Sequence, residues 1–121
     1  MIIAGFGFRS GASLASLRAA FLLAQQGHPP VTHLATACDK LAALAPLAEA
    51  LGLPLTGVES AALAAVPTIT RSAASLAAHG TGSLAEASAL AAAGQGACLL
   101  GPRHISPDRM ATCAIVKGQS T

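Results

Sequence analysis

The stretch MIIAGFGFRSGASLASLRAAFLLAQQG, residues 1–27, decides the fold, because a strand, a glycine-rich turn and a helix follow one another directly. Residues 1–8 are apolar and predict a short buried strand. The helix keeps the three-and-four spacing of one buried face at Leu14, Leu17, Phe21 and Leu22. Ser13 is a suitable N-cap, Gly27 suits the helix end, and Pro29 prevents continuation.

The rest of the chain continues this alternation of strands and helices. Further strands are predicted over 31–37, 53–58, 97–100 and 112–116, and helices over 59–66, 72–79 and 83–93. A leucine-spaced helix ends at Gly52, and Pro46 leaves two interpretations of it, a start near Ala45 or a bend at the proline. The last two strands lack a helical crossover and predict an antiparallel hairpin. The predicted fold is α/β, a three-layer α/β/α sandwich with a mostly parallel, mixed sheet of about five strands.

The bulk composition limits the class of protein. A length of 121 residues fits one domain, which we assign to residues 1–121. Hydrophobic residues make up 53% and charged residues 10%, against roughly 25% charged residues in ordinary soluble domains. No apolar run approaches the roughly 18 to 20 residues of a membrane-spanning helix, and the N-terminus lacks the features of a signal peptide. We therefore expect a cytoplasmic protein without a membrane partner.

Charge, aromatic content and cysteines exclude further classes. A net charge of +2 and the absence of Trp and Tyr argue against nucleic-acid binding. Cys38, Cys98 and Cys113 form no CxxC pair, so they predict buried thiols and no disulfide framework or zinc site. The histidines are scattered and not spaced as metal ligands. We expect no bound metal and no organic cofactor.

GFGFRSGAS, residues 5–13, is the strongest chemical feature. It places three glycines between a strand and a helix, with an arginine and two serines in the same turn. The predicted ligand-binding residues are Gly5, Gly7, Arg9, Ser10, Gly11 and Ser13. Amide groups at a helix start and an arginine suit a carboxylate or phosphate. The alternative is that the glycines only form the turn and Ser13 only caps the helix.

GTGS, residues 80–83, repeats this arrangement before another helix. Its predicted ligand-binding residues are Gly80, Thr81, Gly82, Ser83 and Glu86. Glu86 is also the candidate catalytic residue, as a general acid or base. The alternative is a capping box, in which Ser83 and Glu86 satisfy only backbone donors of the helix start.

The first glycine segment also suggests a dinucleotide site, because GxGxxxG after a first strand is similar to the Rossmann fingerprint. Its third glycine comes one position late. The acid nearest the expected ribose contact is Asp39, with Lys40 beside it. A nucleotide-binding enzyme domain therefore stays open as an alternative.

GPRHISPDRM, residues 101–110, concentrates charge near the ends of the last two strands, where α/β sheets bind ligands. We predict that Arg103 contacts a ligand. His104 is the next residue in the same loop. For Asp108 and Arg109 a solvated hairpin connection is the alternative.

Three segments together resemble the CobE/CbiG C-terminal domain family: GFGFRSGAS at 5–13, GTGSLAEASALAAAG at 80–94 and CLLGPRHISPDRMATCAIV at 98–116. The resemblance implies a role in cobalamin biosynthesis, with a corrin-ring precursor as ligand and other cobalamin biosynthetic enzymes or a homo-oligomer as partners. Longer relatives hydrolyse the lactone of a cobalt-precorrin and carry additional N-terminal domains. A non-catalytic partner subunit of such an enzyme is a further alternative.

The chain departs from the family pattern at two places. Many relatives have a TxDxK arrangement after the second strand, whereas Asp39 here is displaced by one position after Thr36. Where relatives usually have lysine in the late loop, this chain has Arg103, which keeps the charge and can bind a carboxylate.

Overall fold

The computed structural model describes residues 1–79 and 81–118. Within them, six strands are formed: β1 (Ile2–Phe8), β2 (His33–Ala37), β3 (Leu55–Val58), β4 (Cys98–Leu99), β5 (His104–Ile105) and β6 (Ala111–Lys117). The helices are α1 (Leu14–Gln25), α2 (Leu41–Leu51), α3 (Ser60–Ala64), α4 (Ala73–His79) and α5 (Leu84–Ala93), and a 3-10 turn, Cys38–Lys40, precedes α2.

The strands form one mixed sheet in the order β3-β2-β1-β6-β4, with β5 also paired to β6. β1, β2 and β3 are parallel, whereas β6 runs antiparallel to β1 and to β4. The predicted α/β class and the antiparallel final pair are confirmed. The sheet has one strand more than expected, because the two residues of β5 are too few to show a sequence period.

Helices cover both faces of the sheet, which gives the predicted three layers. Side chains of β1 alternate: Ala4 and Phe6 pack with Leu17 of α1 and Leu44 of α2 on one face. On the other face, Ile3 packs with residues of β2, α5 and β6. Because β1 is buried on both faces, its sequence is apolar throughout.

Helix boundaries follow the local signals. Ser13 caps α1 by accepting a hydrogen bond from the Ser16 backbone N–H at 3.1 Å, and Gly27 adopts a φ of 76° beyond its end. Pro46 lies inside α2, which begins four residues before Ala45 and ends at Gly52 with a φ of 66°. Of the two interpretations, a start near Ala45 is therefore wrong.

This topology brings the loops that matter for function to one edge. Parallel strands β1, β2 and β3 end on the same side, so Arg9, Cys38 and Glu59 follow them at a common edge of the sheet. Antiparallel β6 begins there, beside the end of β1. In the part of the chain that the structure describes, no helix has the length and apolarity needed to span a bilayer.

Candidate functional site

The turn after β1 is open to solvent. Arg9, Ser10 and Gly11 are all exposed, and Gly11 has a φ of 85°, a conformation that favours glycine. The turn is held at its base, because the Arg9 N–H donates to the Met110 carbonyl at 2.9 Å and the Ala12 N–H donates to the Arg9 carbonyl at 3.0 Å. The Arg9 side chain is thus presented by a fixed backbone.

Gly5 and Gly7 do not belong to this turn, which corrects their predicted placement. Both are buried in β1 and face α5. A Cβ at Gly5 would lie 2.0 Å from the Ala85 carbonyl oxygen, and one at Gly7 would lie 3.2 Å from Leu84 Cβ. These glycines allow the helix to approach the strand closely. The Rossmann arrangement, with its glycines in the turn, is not formed.

Lys40 borders the same turn, although it was not among the predicted site residues. Its Nζ donates to the Phe8 carbonyl at 2.8 Å and lies 4.7 Å from the centroid of the Phe8 ring. The signal available in the sequence was its position just beyond the end of a parallel strand, where ligands of α/β sheets bind. Asp39 beside it is exposed.

The turn at 106–110 is hydrogen-bonded both to the turn after β1 and to α1. Ser106 Oγ donates to Asp108 Oδ1 at 2.6 Å, Ser16 Oγ donates to Asp108 Oδ2, and the Met110 N–H donates to Oδ1 at 3.1 Å. These hydrogen bonds, that from Ser106 first, lower the pKa of Asp108. Arg109 is exposed and has a φ of 62°. Asp108 is thus a structural link between α1 and this turn.

Glu86 is fully buried, with an exposed fraction of 0%. Its Oε1 accepts from the backbone N–H groups of Ile69 at 2.7 Å and Thr70 at 2.9 Å. Its Oε2 accepts from Thr70 Oγ1 at 2.5 Å and from the Arg103 N–H at 3.0 Å. Half of the predicted capping box is present, because the Glu86 N–H donates to Ser83 Oγ at 3.2 Å. The carboxylate itself joins two distant loops.

The second glycine loop is covered, contrary to the expected open helix start. Gly80 lies outside the described residues, while Thr81, Gly82 and Ser83 are buried. A Cβ at Gly82 would lie 2.4 Å from the Thr70 carbonyl oxygen, and the Ser72 N–H donates to the Gly82 carbonyl at 2.7 Å. The segment 68–72 therefore lies over the start of α5.

Arg103 and His104 lie between β4 and β6, Arg103 in a loop and His104 in β5. Arg103 is half-buried, and its backbone is held by Glu86. His104 is exposed and pairs with Cys113 of β6. The structure thus links Arg103 to the start of α5, and it places Arg9 and Lys40 together at the end of β1.

Two cysteines differ from the expectation of buried thiols. Cys38 and Cys98 are exposed, and only Cys113 among the three is buried. Cys38 lines a pocket of about 280 Å³ with Asp39 and Glu59, and its Sγ donates to Glu59 Oε1 at 3.4 Å. Partial desolvation, followed by the Glu59 and Asp39 carboxylates, raises the pKa of the Cys38 thiol. Within residues 1–79 and 81–118, His, Cys, Asp and Glu side chains form no group of three that could hold a metal ion.

These elements define a small three-layer α/β domain with an open mixed sheet. The family model described as "Cobalamin synthesis G C-terminus" matches residues 2–116. The chain therefore belongs to this family, the CobE/CbiG C-terminal domain family, and is a cobalamin biosynthesis protein. No curated protein matches the chain.

Solved structures agree with this assignment. CobE, a protein from the cobalamin (vitamin B12) biosynthetic pathway, is 31% identical with a TM-score of 0.88, over 100% of this chain and 92% of that one. Cobalamin biosynthesis protein chiG from Agrobacterium tumefaciens str. C58 is 36% identical with a TM-score of 0.76, over 99% and 100%. A cobalamin biosynthesis protein G homolog from Sulfolobus solfataricus, 15% identical with a TM-score of 0.76 over 98% of this chain and 37% of that one, shares the fold.

Proposed function

We propose that this protein binds or processes a corrin-ring precursor, of the precorrin or hydrogenobyrinic-acid type, through the basic loops around the end of β1. Such a precursor carries many acetate and propionate groups, and an arginine can bind a carboxylate through two hydrogen bonds. The observation that carries the proposal is the exposure of Arg9, Ser10 and Gly11 in one fixed turn of a cobalamin biosynthesis protein.

Preorganisation of the loops supports this function. A binding group whose backbone is already ordered loses less conformational entropy when the ligand binds. The Arg9 backbone is bonded to Met110, and the Arg103 backbone is bonded to the buried Glu86 carboxylate. Both arginines therefore come from backbone segments that are held before a ligand arrives.

Glu86 fits a positioning role better than proton transfer. Its carboxylate accepts hydrogen bonds from four donors and has no exposed surface. A general acid or base must come within hydrogen-bond reach of the reacting atom. We propose that Glu86 holds the loops that carry Arg103 and Thr70, and that it does not touch the ligand.

A visible-spectrum titration with hydrogenobyrinic acid, accompanied by gel filtration, tests the proposal. Wild type is compared with Arg9→Ala and with the control Lys117→Ala, an exposed cation at the opposite end of the sheet beside Ile2. Loss of a charge-assisted hydrogen bond costs about 1.5–3 kcal/mol. We expect the Kd to rise about tenfold or more in Arg9→Ala and to stay unchanged in Lys117→Ala.

We also propose that residues 1–121 act as one cytoplasmic domain, and that other cobalamin biosynthetic enzymes or a second copy of this chain are partners. The elution volume of the protein alone reports on a second copy. If wild-type protein changes neither the visible spectrum nor the elution volume of the corrin, the corrin proposal is contradicted. If Arg9→Ala and wild type bind the corrin with equal affinity, the turn after β1 does not belong to the binding site.

A further inference from the structure

A pocket lies between α3, α4 and the start of α5. It has a volume of about 340 Å³, within the roughly 300–1,000 Å³ of small-molecule sites. Five apolar residues, Ala64, Ala65, Val66, Pro67 and Leu76, line it together with Thr68 and Thr81, and polar atoms form the larger part of its surface. Arg71 also lines it and is exposed.

Among the described residues, Arg71 is the one charged residue of the pocket wall, and charged residues are also scarce around it in the sequence. Between Glu59 and Glu86 it is the sole Lys, Arg, Asp or Glu residue. An occupant of this pocket therefore meets apolar side chains, the polar residues Thr68 and Thr81, and one guanidinium group. This combination suits a ligand that joins an apolar body to an anionic group, because arginine binds carboxylates through paired hydrogen bonds.

The backbone segment that carries Arg71 is held by hydrogen bonds and by packing on the start of α5. The backbone N–H groups of Ile69 and Thr70 donate to Glu86, and Thr68 Oγ1 donates to the Thr70 carbonyl at 2.8 Å. A Cβ at Gly82 would lie 2.9 Å from Arg71 Cα, so this backbone packs directly on the start of α5. The pocket is therefore formed in advance, which lowers the entropic cost of binding.

Two exposed apolar side chains lie in or beside the pocket, together with one buried hydroxyl that has no hydrogen-bond partner among the described residues. Leu76 in its wall is 41% exposed, and the neighbouring Ile69 is 63% exposed although its backbone is anchored on Glu86. Thr81, also in the wall, has a buried Oγ1 without a hydrogen-bond partner among residues 1–79 and 81–118. Clustered exposed apolar side chains are a feature of binding surfaces. A buried hydroxyl without a hydrogen-bond partner is destabilising.

Glu86 also joins this wall to the Arg103 loop. Thr70 Oγ1 lies 2.5 Å and the Arg103 backbone N lies 3.0 Å from the same oxygen, Glu86 Oε2. The segment that carries Arg71 and the one that carries Arg103 therefore meet at a single buried atom. A ligand with several carboxylates can engage both segments.

We propose that this pocket binds a carboxylate on an apolar arm, with Arg71 as the ion-pair partner and Leu76 against the apolar part. The assignment of the arm to a propionate group of a corrin precursor rests on the proposed function. A free small carboxylic acid has the same chemistry and is the other source. With a volume of about 340 Å³, the pocket takes one arm of a large ligand or the whole of a small one.

The test uses the full chain, labelled with ¹⁵N, and two probes, hydrogenobyrinic acid and 4-phenylbutyrate. The variants are Arg71→Gln, which removes the cation, and Leu76→Asp, which places a carboxylate in the wall. The controls are Arg18→Gln and Leu22→Asp, at exposed positions of α1 on the opposite face of the sheet. We expect hydrogenobyrinic acid to shift the amide signals of Thr68, Arg71 and Gly82. Its Kd is expected to rise about tenfold in both variants and in neither control.

The outcomes separate this inference from the proposed function. If hydrogenobyrinic acid binds without shifting these amides and with unchanged affinity in Arg71→Gln, the pocket inference is overturned while the corrin proposal stands. If the corrin fails to bind but 4-phenylbutyrate shifts the same amides in wild type and not in Arg71→Gln, the pocket binds free carboxylic acids and the corrin proposal fails. If neither probe binds, both are overturned.

Discussion

The two glycine-rich segments of this chain look alike in sequence and differ in structure. In residues 5–13 the turn is open, with Arg9, Ser10 and Gly11 exposed. In the segment before α5, residues 81–83 are buried beneath residues 68–72. Both segments precede a helix capped by serine. Local sequence therefore predicts the cap but does not tell whether the helix start is free to meet a ligand.

The difference comes from segments far away in the chain. Residues 68–72 reach the start of α5 because Glu86 supplies acceptors for their N–H groups and Gly82 leaves room for their backbone. In the first segment, two of the three glycines that suggested a ligand loop, Gly5 and Gly7, face α5 instead, and the turn itself begins only at Arg9. Glycine marks close backbone approach in both places, and the partner that approaches differs.

Gly5→Ala is expected to have the largest effect. The added Cβ would lie 2.0 Å from the Ala85 carbonyl oxygen and 2.7 Å from Ala89 Cβ, so strand and helix must separate. We expect a loss of about 3 kcal/mol or more in the free energy of unfolding, measured with urea. The control is Gly101→Ala, where an added Cβ meets nothing within 4 Å. Equal stability of the two variants would show that α5 does not pack on β1 as described.

Glu86→Gln tests what covers the second segment. The amide keeps one acceptor, but its NH₂ group replaces an oxygen that accepts from Thr70 Oγ1 and the Arg103 N–H. We expect a loss of about 2–3 kcal/mol, because a buried N–H loses its partner and charge-assisted bonds become neutral. Hydrogen exchange of the Ile69, Thr70 and Arg103 amides should accelerate.

The matched control is Glu49→Gln, at an exposed position near the end of α2. It makes the same chemical change where no loop depends on the carboxylate, and we expect stability within about 0.5 kcal/mol of wild type. Unchanged exchange of the three amides in Glu86→Gln would mean that this carboxylate does not hold the two loops.

Much of the fold follows from local sequence signals. β1 and α1 follow from apolar patterning, Ser13 and Ser83 from capping chemistry, and Gly27 from the demand for a positive φ. These features depend on residues a few positions apart, so one sequence is sufficient to predict them. The family resemblance added the pathway, which no local pattern contains.

The rest depends on contacts between distant residues. The Glu86 carboxylate receives donors from residues 69, 70 and 103, and Lys40 reaches back to Phe8. Such pairs are set by how helices pack across the sheet, and a single sequence carries no periodic signal for them. Arg71 had one signal, its isolation as a charge in a long uncharged segment, but a solvated arginine has the same signature.

The smallest expected effect concerns the first segment and depends on pH. Hydrogen bonds from Ser106, Ser16 and Met110 lower the pKa of Asp108 in the folded protein, whereas the pKa of an aspartate in an unfolded chain is about 3.9. The stabilising contribution is therefore complete above that pH and is lost as the pH falls through the folded pKa. We expect the free energy of unfolding of wild type to fall more steeply below about pH 4 than that of Asp108→Asn.

Urea unfolding between roughly pH 5 and 2.5 measures this difference, with Asp39→Asn as the control for the same change at an exposed carboxylate of the neighbouring loop. Identical pH curves of Asp108→Asn and wild type would contradict the link. Because the Met110 carbonyl of the turn at 106–110 accepts the Arg9 N–H, protonation of Asp108 should accelerate exchange of the Arg9 amide. The open segment would then loosen, since the Asp108 carboxylate holds the turn that supports it.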